Sequence, residues 1–277
     1  MPESPAVNDV NAVNEARSRI RTDQPHTARI WNYWLGGKDN YPVDQQAGDQ
    51  IRRLHPGIGD YALADRLFLG RAVGHLAGEC GIRQFLDIGT GLPSADNTHE
   101  VAQRVAPESR IVYVDNDPIV LAHAEALLTS TPEGRTDYLD EDLRNVGTIL
   151  EHASRTLDLS EPVALVLLGV VIFVEEDEEA YGIVRRLVEA LPRGSHLVLS
   201  HTVTRPDMPD VDAAVAFWNE NGTPKLTQRT PDAVARFFDG LQLLEPGVVS
   251  CNRWRPESGD GELPAEVAMF GGVGRKG

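Results

Sequence analysis

The residues best suited to chemistry are a carboxylate and two glycines that lie close together in the chain. Asp87 stands within the short apolar segment 85–88, and Gly89-Thr90-Gly91 follows directly. Glycines allow a tight turn and let a ligand approach the backbone without meeting a Cβ atom. Because ligands in open α/β sheets bind beyond the carboxyl ends of the strands, this pattern predicts a ligand-binding turn. A glycine turn with a purely structural role is the alternative.

Further carboxylates follow the next two predicted strands. Asp115 and Asn116 come directly after the apolar segment 111–114, where a carboxylate can accept hydrogen bonds from ribose hydroxyls. Asp142 and Leu143 follow a third segment, at 136–139. An acid and a backbone amide there could recognise an adenine ring. Asp142 also belongs to an acidic run, so a solvated surface position is the alternative for this residue.

The residues beside the glycine turn discriminate between two classes of nucleotide-like ligand. A dinucleotide site uses the pattern GxGxxG, but the third glycine is missing here, and Pro93 removes an amide that could face a phosphate. Asp87 would repel a pyrophosphate, whereas it would attract the sulfonium and ammonium groups of S-adenosylmethionine (SAM). The residues therefore favour SAM as the cofactor over NAD.

A sheet of mainly parallel strands is needed to bring these positions together. Apolar segments alternate with helical patterns through most of the chain, which predicts an α/β fold with helices on both faces of the sheet. The late apolar segments come without a helix between them and predict an antiparallel hairpin at the sheet edge. The predicted strands are 85–88, 111–114, 136–139, 163–168, 196–200, 241–244, 248–251 and 267–270. The predicted helices are 28–35, 43–54, 61–77, 94–105, 144–154, 176–190, 231–238 and one after Asp117-Pro118.

Three regions are predicted along the chain. Residues 1–25 are polar and lack apolar periodicity, which is typical of a flexible arm. Residues 26–80 read as helices that form an N-terminal cap or lid, and residues 81–277 form the ligand-binding domain.

Two segments resemble known proteins. Residues 85–121, with the glycine turn and Asp115, resemble the class I SAM-dependent methyltransferases. The segment 28–41, which contains the sequence LGGKDNY, resembles the N-terminal signature of a bacterial family of SAM-dependent methyltransferases whose substrates are mostly unknown. The resemblance implies a Rossmann-like, seven-stranded, mostly parallel sheet with an antiparallel last strand. It also implies that SAM lies across Asp87, Gly89, Gly91 and Asp115.

The signature segment is a candidate lid over the cofactor or the substrate. Gly37 would supply flexibility, and Tyr33 or Tyr41 could stack on a ring or on the sulfonium. Lys38 and Asn40 would complete a polar loop, with Lys38 directed to Asp39, a SAM carboxylate or an acidic substrate. A helix end followed by an ordinary turn is the alternative.

Four later residues are further candidates for the site. Gly169 follows the fourth strand, where it would let a backbone carbonyl meet the methionine amine of SAM, and Phe173 could pack against the ligand. His201 follows the fifth strand, where a base with a near-neutral pKa could accept a proton from a hydroxyl. Trp218 could line the acceptor pocket. Core packing is the alternative for Phe173 and Trp218, and a structural role is the alternative for His201.

Composition limits the partners. The formal charge is −16 and the isoelectric point is about 4.9, whereas duplex nucleic-acid binders carry a basic surface, so a nucleic-acid substrate is disfavoured. The two cysteines form no CxxC pattern, so we expect no zinc site and no disulfide framework. The longest apolar run, 163–174, is too short to span a bilayer, so we expect a cytoplasmic protein that makes no membrane contact.

Three functions stay open at the level of the sequence. The leading hypothesis is a SAM-dependent methyltransferase acting on a small-molecule acceptor. The alternatives are a SAM-binding regulatory module without catalysis and, less favoured, an NAD-linked oxidoreductase. The sequence does not decide whether the chain forms a homodimer.

Overall fold

A computed structural model describes residues 21–93, 95–117, 119–120, 129–256 and 264–277. Most of the predicted arm, residues 1–20, lies outside this range, as does most of the helix predicted after Asp117-Pro118. The helices are α1 Thr27–Trp34, α2 Pro42–Leu54, α3 Ile58–Gly78, α4 Thr98–Val105, α5 Val146–Ala153, α6 Asp177–Ala190, α7 Pro209–Asn221 and α8 Pro231–Ala235. The strands are β1 Gln84–Ile88, β2 Arg110–Asp115, β3 Arg135–Asp140, β4 Ala164–Leu168, β5 His196–Thr202, β6 Leu241–Leu243, β7 Val249–Ser250 and β8 Met269–Lys276.

The strands form one sheet in the order β3-β2-β1-β4-β5-β8-β6, and the two-residue β7 also pairs with β8. The pairs from β3 to β5 are parallel, and β8 runs antiparallel to β5, β6 and β7. The prediction of an antiparallel last strand is confirmed. The short β7 makes the sheet eight-stranded rather than seven-stranded. The late strands do not form a hairpin at the edge, because β8 inserts between β5 and β6.

Side chains of each strand alternate between two buried layers, as a strand period of two requires. Phe85, Ile111 and Val198 belong to the layer that packs against α3 and α4, and Phe68 of α3 is fully buried within it. The neighbouring Leu86 belongs to the opposite layer, with α5 and α6. Asp87 therefore lies on the α3 side of β1, at the carboxyl edge of the sheet.

One predicted helix begins later in the structure, and one helix was not predicted. The helix predicted at 94–105 begins at Thr98, because Asn97 caps it and the Glu100 carboxylate accepts the Asn97 backbone N–H at 2.8 Å in a capping box. The helix α7 was not predicted, since its apolar residues show weak helical periodicity.

The N-terminal helices α1 and α2 are joined by a buried ion pair. Asp44 is fully buried, and its Oδ2 atom lies 2.8 Å from Nε of Arg29. The same carboxylate accepts the backbone N–H groups of His26 and Tyr41, at 2.9 and 2.8 Å. Arg29 also donates to the carbonyl of Gln24 at 2.5 Å, so the end of the predicted arm is attached to α1. In the described part of the chain, none of the helices has the length and apolar character to cross a membrane.

Candidate active site

A cavity of about 870 Å³ lies at the carboxyl edge of the sheet, between the strand ends and α1. Eleven of the predicted site residues line it. They are Gly37, Asp87, Gly89, Thr90, Gly91, Asp115, Asn116, Asp142, Leu143, Gly169 and Phe173. The topology thus brings together positions that are far apart in sequence, because parallel strands end at the same edge.

The glycine turn needs glycine at both positions. Gly89 has φ of 76° and Gly91 has φ of 65°, in the left-handed region that favours glycine. A Cβ atom on Gly89 would lie 2.4 Å from Cγ2 of Val170, so no side chain fits there. Around Gly91 the space is open. The turn therefore exposes backbone to the cavity at Gly91 and packs closely against the end of β4 at Gly89.

Asp115 is oriented by backbone amides on both of its carboxylate oxygens. Oδ2 accepts the N–H of Gly91 and Oδ1 accepts the N–H of Asp117, each at 2.9 Å. Burial raises the pKa of Asp115 to about 6 against the opposing effect of these hydrogen bonds. Each oxygen has a second lone pair, so the carboxylate can still accept hydrogen bonds from ligand hydroxyls.

Asp87 is buried at the end of β1, with 5% of its surface exposed. The hydroxyl of Thr98, in the first turn of α4, donates to its Oδ2 atom at 2.5 Å. Burial raises the pKa of Asp87 to about 6. A cationic ligand in the cavity would stabilise the ionised form of this carboxylate.

Asp142 lines the cavity, and its carboxylate also interacts with Arg144. Its Oδ1 atom accepts the backbone N–H of Arg144 at 2.8 Å and lies 3.4 Å from the guanidinium. The same guanidinium reaches Glu179 at 3.0 Å and the carbonyl of Phe173 at 3.1 Å. Leu143, next in the chain, is buried against the core. Asp142 is thus partly solvated, as the alternative interpretation expected, since its side chain is 35% exposed.

Gly169 forms the cavity wall at the end of β4. Its φ is 58°, and its N–H donates to the Ser200 hydroxyl of β5 at 3.0 Å. Phe173 follows in a short 3₁₀ turn and lines the same wall.

Asp65 of α3 is a site residue that our sequence interpretation missed. It lines the cavity with 7% of its surface exposed, and burial raises its pKa to about 6. Tyr61, Asp65 and Leu69 are four residues apart, which puts them on one face of the helix. A carboxylate inside an otherwise apolar helical face was the available signal.

The signature segment 28–41 builds the cap, and half of its residues line the cavity. The Asn32 side-chain oxygen accepts the Asp39 N–H at 3.0 Å and the Asn40 amide at 2.9 Å. A Cβ atom on Gly37 would lie 2.3 Å from the side-chain nitrogen of Asn32, so Gly37 is required by packing. Tyr33 donates its hydroxyl to Asp49 at 2.8 Å. Tyr33, Lys38, Asn40 and Tyr41 are not among the residues that line the cavity.

The geometry does not support the base role expected for His201. The side chain is fully buried on the other face of β5, where Nε2 accepts from Arg229 at 2.8 Å and the ring stacks on Phe237. Nδ1 lies 2.8 Å from the Thr202 carbonyl. Burial lowers the pKa of His201 to about 4. Its neighbour Ser200 faces the cavity side, and a shift of one residue along a strand reverses the face.

Trp218 contacts the cavity wall only indirectly. It is 3% exposed, and its indole N–H donates to the carbonyl of Pro224 at 2.7 Å. Pro224 lines the cavity. The position of Trp218 therefore fits the alternative of core packing, and its hydrogen bond supports the loop that contains Pro224.

Carboxylates outnumber cations in the cavity wall. Among the described lining residues, the carboxylates are Asp39, Asp65, Asp87, Asp115, Glu141, Asp142 and Glu175, and the lysine and arginine side chains are Arg66, Arg144 and Lys225. A ligand that carries positive charge is favoured by this excess.

Comparisons with known proteins agree with the site. The model of a family described as "S-adenosyl methyltransferase" matches residues 13–277. A DUF574 family protein from Streptomyces avermitilis MA-4680 is 46% identical, with a TM-score of 0.89 over 94% of this chain and 100% of that one. A candidate methyltransferase from Thermobifida fusca YX is 37% identical, with a TM-score of 0.83 over 91% and 95% of the two chains.

Two more distant similarities add to this. The carboxy-S-adenosyl-L-methionine synthase of Chromohalobacter salexigens is 26% identical over 194 residues, which are 68% of this chain and 64% of the synthase. This chain therefore spans less than two thirds of that curated relative. Magnesium protoporphyrin IX methyltransferase from Synechocystis PCC 6803, with bound S-adenosylhomocysteine (SAH), is 12% identical, with a TM-score of 0.52 over 90% and 93% of the two chains. At that identity the likeness concerns the fold, and it confirms the predicted Rossmann-like class.

Proposed function

Because this chain belongs to the S-adenosyl methyltransferase family, we propose that it transfers the methyl group of SAM to a small-molecule acceptor in the cavity at the carboxyl edge of the sheet. Family membership confirms the predicted cofactor and does not favour the NAD-linked alternative. The observation that carries the proposal is the set of buried carboxylates and glycine turns on one cavity wall.

The residues of the wall fit the chemistry of SAM. Asp115, held by two backbone amides, would accept hydrogen bonds from the ribose hydroxyls. Asp87 and the backbone of Gly89 and Gly91 would hold the methionine part, since glycine leaves room for close approach. Asp142 and the Leu143 amide would contact the adenine.

When bound, SAM supplies a methyl group that its sulfonium has already activated. The protein then needs mainly to position the acceptor and to exclude water, which can account for much of the rate. The cap contributes to both, because Trp31, Leu35 and Gly37 of the N-terminal segment form the wall opposite the strand ends. The side-chain bonds of Asn32 keep this wall in place.

Calorimetry followed by a turnover assay tests the proposal. We expect the purified protein to bind SAM and SAH at one site, and to release SAH from SAM in the presence of a metabolite extract. Binding of SAM without turnover on any fraction would favour the regulatory module. Binding of NADH with none of SAM would contradict the proposal.

Assembly and location stay expectations from the sequence. The expectations are a cytoplasmic protein and an assembly that is either a monomer or a homodimer. Light scattering on the purified protein distinguishes a monomer of 30.3 kDa from a dimer.

A further inference from the structure

Asp65 lies over different strands from Asp87 and Asp115, the two carboxylates proposed to hold SAM. Its Oδ2 atom lies 3.9 Å from the place a Cβ atom would take on Gly169, at the end of β4. Its carboxylate hydrogen-bonds the Ser200 side chain of β5, and its Oδ1 atom lies 3.9 Å from Sγ of Cys251. Asp115 and Asp87, by contrast, lie at the ends of β2 and β1. Asp65 is therefore beyond the glycine turn, over β4 and β5.

The surroundings of Asp65 combine a carboxylate with apolar surface. Trp31 of the cap lines the cavity and packs edge-on against Tyr61, with ring centroids 5.7 Å apart. Tyr61 lies one helical turn before Asp65, and Leu69, also on the cavity, lies one turn after it. A ligand group here would meet an aromatic ring, an aliphatic side chain and one buried carboxylate.

The cationic side chains of the cavity wall are engaged elsewhere. Arg66 donates to the carbonyl of Ala95 at 2.8 and 3.0 Å. Arg144 is held by Glu179 and the Phe173 carbonyl. Lys225 donates to the carbonyls at the end of α7, with the Gly222 oxygen at 3.1 Å. None of these three pairs directly with Asp65 in the described structure, so a cationic ligand could become its partner.

We propose, on the basis of the proposed function, that Asp65 binds the nucleophile of the acceptor. This nucleophile is the nitrogen of an amine with an apolar substituent. Asp65 first pairs with the ammonium and receives one proton from it, which leaves a neutral amine with a free electron pair. The nitrogen then forms a bond to the methyl carbon, while the bond from sulfur to that carbon breaks and its electron pair stays on sulfur. The products are an N-methylated ammonium and SAH.

One observation favours this assignment over a role for Asp65 in cofactor binding, and a second fits the proton transfer. The carboxylates proposed for the ribose and the methionine part are Asp115 and Asp87, and Gly169 would offer the methionine amine a backbone carbonyl. The buried environment also raises the pKa of Asp65 to about 6, which makes the carboxylate a better proton acceptor than an exposed one.

The test compares three probes that share a phenethyl group and differ in the polar group attached to it: phenethylamine, 2-phenylethanol and 3-phenylpropanoate, each on the SAH-saturated protein. We expect phenethylamine to bind at least tenfold more tightly than 3-phenylpropanoate, with the neutral alcohol between them. Equal binding of the three probes, or tighter binding of the carboxylate, overturns the proposal. This comparison uses the unmodified protein and does not depend on the folding of any variant.

The variant Asp65→Asn removes the charge and keeps the shape, and Glu175→Gln is its control because Glu175 is an exposed carboxylate of the same cavity. We expect Asp65→Asn to abolish the preference for the amine and to leave SAM affinity within twofold, whereas Glu175→Gln leaves both unchanged. A larger loss of SAM affinity in Asp65→Asn would assign Asp65 to the cofactor and overturn the proposal. If the unmodified protein does not bind SAM, the proposed function itself fails.

Discussion

The two edges of the sheet carry cavities of nearly equal size, about 870 Å³ at the carboxyl edge and about 810 Å³ at the amino edge. At the amino edge an ion pair lies near solvent. Nε of Arg83 lies 2.6 Å from Oε1 of Glu108, and both side chains are about half exposed. At the carboxyl edge, buried carboxylates are held mainly by hydroxyl and amide donors.

The two cavities therefore differ less in volume than in the burial and ionisation of the charged side chains that line them. The amino-edge histidine, His196, is 4% exposed, and burial and the nearby Arg275 lower its pKa to about 4, so it is neutral. Asp65, Asp87 and Asp115 keep raised pKa values of about 6 and are ionised near neutral pH. Ionised carboxylates out of water are costly, and a cationic ligand offsets that cost.

The largest expected effect is on the free energy of unfolding, and it compares the buried ion pair of the cap with an exposed ion pair. Asp44→Ala leaves Arg29 buried without its partner, so we expect the free energy of unfolding to fall by about 3–5 kcal/mol. Glu108→Ala removes the exposed partner of Arg83 at the amino edge and should cost at most about 1 kcal/mol. Urea denaturation measures both. Equal losses would mean that the cap is not held as the structure indicates.

Cofactor affinity gives the second comparison. Asp115→Ala should weaken SAM binding by about 1–3 kcal/mol, the scale of losing charge-assisted hydrogen bonds. Glu133→Ala removes an exposed carboxylate from the amino-edge cavity and should leave SAM affinity unchanged. Calorimetry on the two variants decides the point, and an unaffected Asp115 variant would show that the ribose site is misplaced.

Two glycines with the same backbone conformation sharpen the comparison further. Gly91 has φ of 65° and Gly81 has φ of 69°, and a Cβ atom meets open space at both. Each Gly→Ala change should therefore cost about 1–2 kcal/mol of stability through left-handed strain alone. Only Gly91→Ala should also weaken SAM binding, because Gly81 lies on the amino-edge cavity. A matching effect of Gly81→Ala on SAM affinity would contradict this assignment.

The smallest expected effect is on pH dependence. The folded pKa values of Asp65, Asp87 and Asp115 are about 6, above the ordinary value of 3.8, so the folded protein holds protons that the unfolded chain has lost. Their contribution to stability is therefore largest below about pH 4 and is lost as the pH rises through 6. SAM prefers the ionised carboxylates of Asp87 and Asp115, so its affinity should fall several-fold from pH 7.5 to pH 5. Calorimetry across this range measures the change, and a flat profile would show that these two carboxylates do not face the cation.

The sequence predicted the parts of the site that depend on local pattern. A carboxylate next to a glycine turn, and another at the next strand end, are visible in Asp87, Gly89 and Asp115 without knowledge of packing. Asp65 was missed because its place on the cavity depends on how α3 lies across the sheet. His201 was expected on the cavity because it ends a strand, yet the strand alternation directs it to the opposite layer. The position of β8 could not be predicted either, because its pairing with β5 and β6 joins residues that are far apart in the sequence.

Because β8 inserts between β5 and β6, this part of the sheet cannot be completed until β8 has been synthesised. During synthesis, β5 and β6 leave the ribosome before the strand that joins them, and domains generally begin to fold from the amino end. Until β8 arrives, both strands present unpaired backbone groups that could bind another chain. Met269 of β8 also lies 3.9 Å from the Cβ position of Gly169, beside Asp65. A nascent chain would thus complete this cavity only after β8 has been made, and chains that lack β8 would keep exposed strand edges that can associate with other chains.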